Sequence, residues 1–97
     1  GASAGIIEML LQSHLGFLNI LPALPMAWEQ GKVKGLLARG GFEADIFWEN
    51  GELKKLIVKS NAGEECNLLY KDAKLSFKTK KGRSYSIKYE NGKLTRE

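Results

Sequence analysis

The chain has 97 residues, 43% of them hydrophobic and 27% charged, and a formal net charge of +4. That is the profile of one small domain, which buries only about 60% of the surface its unfolded chain exposes. A single cysteine, Cys66, excludes an internal disulfide framework and a multi-cysteine zinc site. No apolar run approaches the ~20 residues of a membrane-spanning helix, and the first residues lack the basic opening of a secretory signal.

Residues 3 to 15, "SAGIIEMLLQSHL", predict a helix, with Ser3 as N-cap and Gly16 as C-terminal stop. Ile6, Leu10 and Phe17 lie near one face, Ile7, Leu11, Leu15 and Leu18 lie on the next, and Met9 widens the stripe. Glu8 and Gln12, four apart, form a narrow polar strip. A helix apolar around most of its circumference expects cover on several sides, more than one small sheet supplies.

"FLNILPALP" follows and reads as extended, because Pro22 and Pro25 disfavour helix at Leu21 and Leu24. "WEQGKVKG" predicts a turn near Gly31, and from there the pattern is β. In "FEADIFW", Phe42, Ala44, Ile46 and Trp48 share one face while Glu43, Asp45 and Phe47 share the other. Asn50-Gly51 and Asn91-Gly92 are hairpin turn signals, and "NAG" and "KKG" are further turns. "LKKLIVKS", "CNLLY", "LSFKT", "YSIKY" and "KLT" supply the remaining strands, with Leu56, Val58, Cys66, Leu68, Tyr70, Leu75, Phe77, Tyr85, Ile87 and Tyr89 as apolar positions. Many short strands at such spacing predict a mainly β fold. The expected architecture is an antiparallel, jelly-roll-like β-sandwich or a barrel, preceded by one N-terminal helix.

No element carries an evident active site. Glu43 and Asp45 make a carboxylate pair, but at i and i+2 of one strand they read as the polar face of a half-buried sheet. Paired glycosidase carboxylates come from separate elements and flank the sugar. His14 is the only histidine. It has no companions at ligand spacing and reads as a partner of the helix C-terminal dipole. Cys66 falls in the alternating run with Leu68 and Tyr70 and reads as a small buried hydrophobe. Trp48, Tyr85 and Tyr89 fit the inward face, whereas Trp28, beside Pro25, is free of that pattern. From Lys71 to Glu97 there are nine Lys or Arg and three Asp or Glu. Without a nucleic-acid-binding motif these read as solvating hairpin faces and guarding sheet edges.

Three blocks taken together are more specific. "AGIIEMLLQSH", "LPALPMAW" and "G.VKGLLARGGFEADI.W..G.L", in this order and spacing, resemble the C-terminal end of glycoside hydrolase family 95, the α-L-fucosidases and related α-L-galactosidases. The resemblance spans residues 2 to about 70, and no motif is recognised beyond Tyr70. It implies that residues 1–16 are the last helix of a catalytic (α/α)₆ barrel, 17–28 the crossing, and 29–97 the C-terminal β domain. The barrel would then be the missing cover of the apolar helix, and a bare helix would favour pairing with a second copy of the chain. The resemblance also implies an inverting parent enzyme, exported from the cell, whose acid and base lie upstream of Gly1. No catalytic residue, cofactor or metal is therefore expected here, nor any nucleic-acid partner. The glycan would be met through the parent, with Trp28 and His14 as candidate carbohydrate contacts. A stand-alone carbohydrate-binding module using Trp28 or a tyrosine is the alternative, and a basic nucleic-acid binder is the weaker third.

Overall fold

The computed structural model describes residues 11–14, 17–20, 30–38 and 40–97. They form nine strands and no helix: β1 (Leu11–His14), β2 (Phe17–Ile20), β3 (Gly31–Ala38), β4 (Phe42–Glu49), β5 (Glu52–Ser60), β6 (Cys66–Tyr70), β7 (Ala73–Phe77), β8 (Ser84–Glu90) and β9 (Lys93–Arg96). One sheet has the order β1-β2-β6-β7 and the other β3-β4-β5-β8-β9. Every pairing is antiparallel except β2 with β6, which places Leu18 opposite Leu68. Strand β7 lies beside β9 and β1 beside β3, so the sheets approach each other along both edges.

Alternation decides what lies between them. Phe42, Ala44, Ile46 and Trp48 of β4 are buried, as are Leu56 and Val58 of β5 and Cys66, Leu68 and Tyr70 of β6. Leu18, Ile20, Leu36, Leu53, Ala73, Ile87 and Leu94 complete a single core drawn from both sheets. Tyr85, Tyr89, Leu75 and Phe77 pack half-buried at its margin. Two hairpins turn as their sequences demand. Asn50 and Gly51 have φ of 55° and 71°, and Asn91 and Gly92 have 53° and 76°. Both turns therefore have the left-handed pair that matches strand twist.

Two expectations are corrected. Leu11–His14, expected within the helix, is a strand whose backbone pairs with Phe17–Ile20. A helix apolar all round needs several packing partners, whereas this ladder is closed by the adjacent segment. Phe17–Ile20, expected as part of the crossing, is likewise built into the sheet, with Leu18 and Ile20 in the core. The rest of the expected helix, Pro22, Pro25 and Trp28 lie outside the described residues. The turn expected near Gly31 falls at Gln30, and Gly31 opens β3.

Ser60, at the end of β5, is fully buried and ties three loops together. Its amide donates to the Arg83 carbonyl at 2.9 Å, its carbonyl accepts from the Gly82 amide at 2.6 Å, and the next amide, Asn61, donates to the Gly41 carbonyl at 2.7 Å. Its hydroxyl accepts from the Gly63 amide at 2.9 Å and lies 2.7 Å from Thr79 Oγ1. Thr79 in turn donates to the Glu64 carbonyl. Each hydroxyl has one proton, so the chain runs from Gly63 N–H through Ser60 and Thr79 to Glu64. Ser60→Ala leaves the Gly63 amide without this acceptor. It is expected to cost about 1–3 kcal/mol of stability in urea unfolding followed by circular dichroism.

Candidate functional site

The five-stranded sheet turns its second face outward, and register sets its composition. One row across it reads Lys32, Phe47, Lys55, Lys88. The next holds Asp45, Ile57 and Ser86, and the last Leu37, Glu43, Lys59 and Ser84. Leu37 is 75% exposed, and Phe47 and Ile57 are half-buried. This face mixes apolar side chains with charge and is not a uniformly polar surface.

Two irregularities shape it. On β5 the pairing slips between Phe47 and Trp48, so that Phe47 faces Lys55 while Trp48 faces Leu53. Lys54 is the extra residue of this bulge, and both Lys54 and Lys55 are exposed. On β3 the slip lies between Val33 and Leu36, where the Gly35 amide donates to Asp45 Oδ1 at 2.8 Å. The Asp45 carboxylate thus binds a backbone donor released by the irregular ladder. Glu43 and Asp45 line a hollow of about 200 Å³ with Ile57, Lys59 and Ser84. They sit on one strand and point the same way, so they do not flank a sugar from opposite sides as glycosidase carboxylates do.

At the other end, Gln30, Gly31, Lys32, Phe47, Trp48, Glu49 and Lys54 line a groove of about 440 Å³. Its floor depends on Gly31. A Cβ there would stand 2.6 Å from Trp48 Cζ2, so only glycine lets the indole lie against β3. Trp48 is 7% exposed and belongs mainly to the core. Phe47, on the opposite face of β4, is the outward aromatic.

His14 closes β1 opposite Phe17 in the ladder, and Trp28 lies outside the described residues, so the structure does not bring the two together. The tyrosines are structural. Tyr70 is buried, accepts the Leu53 amide at 2.9 Å and meets Tyr89 edge-on with centroids 4.7 Å apart. Tyr85 accepts the Lys80 amide at 2.8 Å and stacks near Phe77, with the Arg96 guanidinium 5.8 Å and 5.2 Å from the two ring centroids respectively. Among the described residues no group of three or more His, Cys, Asp or Glu is placed to hold a metal ion. The sequence reading missed the groove. Its signals were present: an aromatic, Phe47, at an outward position of "FEADIFW", and the doubled lysine of "LKKL".

Residues 12–95 match the family model for the glycoside hydrolase family 95 C-terminal domain. The chain belongs to this family. Over 72 residues the family-95 domain is 39% identical to "Alpha-L-fucosidase 2" of Arabidopsis thaliana, an alignment covering 73% of the chain. It spans only 8% of that relative's length. The family match continues past Tyr70, where no motif was legible, through β7, β8 and most of β9.

Cys66 is buried in the core of the family-95 domain, and removal from water pushes its thiol from 9.0 up to about 12. The unfolded chain releases this proton near 9.0 and the folded chain only near 12. The thiol's contribution to stability is therefore complete below pH 9.0 and is lost as pH rises toward 12. Native protein is expected to resist iodoacetamide at pH 8.5 and to react once unfolded. Cys66→Ala is expected to lose stability less steeply than wild type across that alkaline window in thermal melts.

Proposed function

We propose that this domain is an accessory, structural part of an inverting glycoside hydrolase acting on α-L-fucosides or related sugars, and that it supplies neither the catalytic acid nor the base. The single observation that carries the reading is the family match over residues 12–95 to a C-terminal domain, in a chain whose alignment spans 8% of a fucosidase relative. The site geometry supports it. The one carboxylate pair considered from sequence shares a strand face, and Asp45 is engaged with the Gly35 amide. The chain ahead of Leu11 would come from the catalytic barrel, with β1 and β2, at one end of the four-stranded sheet, as the entry into the β domain. The two sheets, approaching along both edges around one core, support a sandwich. In this reading the domain braces the barrel through surfaces that its own core does not use.

The test is made on both scales. The isolated chain is expected to release no p-nitrophenol from p-nitrophenyl α-L-fucoside. The parent enzyme lacking residues 12–95 is expected to aggregate or to melt several degrees lower. Turnover by the isolated chain, or a truncated parent with unchanged melting and kcat/KM, would overturn the proposal.

A further inference from the structure

The groove beside Phe47 has a composition that bracing a barrel does not require. Its outward aromatic is flanked on the two neighbouring strands by Lys32 and Lys55, its direct cross-strand partners. Directly opposed residues have Cβ atoms about 5 Å apart, so both lysines leave the sheet next to Phe47. Lys54 adds a third ammonium, turned to solvent by the bulge, and bulges commonly re-aim side chains in this way beside binding sites. Glu49 is, among the described residues, the only carboxylate lining the groove. Among the described residues Lys71 is held by Glu52 at 3.5 Å and Lys88 by Glu90 at 3.2 Å, while Lys32, Lys54 and Lys55 have no ionic partner. The volume of about 440 Å³ falls within the roughly 300–1,000 Å³ of small-molecule pockets.

We propose that this groove binds an acidic sugar, a uronate unit of an oligosaccharide, with Phe47 under the ring and Lys32 and Lys54 on the carboxylate. A pyranose presents a face of C–H groups that packs on an aromatic ring, as apolar surface does. The carboxylate takes charge-assisted hydrogen bonds from ammonium groups. Gln30 and Glu49 are left for the ring hydroxyls, as acceptor and donor on one side and acceptor on the other. The choice of a sugar rests on the accessory reading above, whereas the choice of an anion rests on Lys32 and Lys54, which line the groove.

The 97-residue chain is titrated with tetragalacturonate, followed by amide NMR shifts and tryptophan fluorescence. Shifts are expected at Gly31, Lys32, Phe47, Trp48 and Lys54. Affinity is expected to fall about tenfold in K32Q/K54Q, because each exposed ion pair is worth up to a factor of about five. Phe47→Ala should weaken binding further, and the double lysine variant keeps the test decisive if that substitution disturbs the sheet. Absence of binding, or equal binding of the carboxyl-reduced tetrasaccharide, overturns the proposal. So does an equal response to sulfate or to a single-stranded oligonucleotide, since the groove would then be no more than an anion-attracting surface. None of these failures touches the accessory reading, which stands or falls on the truncated parent.

Discussion

Leu53 and Leu56 are both fully buried, yet they stand three apart on a strand whose side chains alternate every second residue. A regular strand sends one of them to solvent. The bulge at Lys54 resolves the conflict by inserting one residue, so that both leucines reach the core and two consecutive lysines face water. The shape and charge of the groove follow from that exchange. Phe47 gains Lys55 as a cross-strand partner, and Lys54 is left over at the rim.

The same logic runs through the rest of the five-stranded sheet. Its inner face is committed to the core, where Ala44, Ile46, Leu56, Val58 and Ile87 are closed off from water. Its outer face carries whatever the alternation leaves over. The β3 irregularity is held by the Asp45 carboxylate, so one member of the pair resembling catalytic acids is engaged by the backbone. The buried hydroxyl chain from Ser60 to Thr79 does similar work at the sheet's end, bonding the Gly63 amide and the Glu64 carbonyl. Among the described residues no buried side-chain nitrogen or oxygen is left without a partner.

A division of labour is visible between the two sheets. The four-stranded sheet covers the core with Leu18, Ile20, Cys66, Leu68 and Tyr70, and its edge strands lie against the edges of its partner. The five-stranded sheet contributes the larger share of the core and also presents the surface with mixed chemistry. Moving either sheet would open the shared core, so the two sheets hold each other in place.

Much of the β pattern was legible because period-two alternation and Asn-Gly turns are local signals. The inward set of β4 and the run Cys66, Leu68, Tyr70 followed from residue order alone, as did both Asn-Gly hairpins. So did the family, from three motif blocks that end before the last strands. The N-terminal segment was misread over Leu11–His14, because an apolar stretch of mixed period forms a helix or a strand according to its partner, and the partner here is Phe17–Ile20. The groove also escaped, since Phe47, Lys32 and Lys54 are scattered along the chain and meet only through strand pairing and a bulge. Sequence by itself determined which residues seek the core and where the chain turns, because hydrophobicity and left-handed turn preferences reside in single residues and their neighbours. Tertiary structure alone decided which sheet each strand joins and which outward side chains meet. Register is set by the burial of whole faces, a property no short stretch of chain possesses.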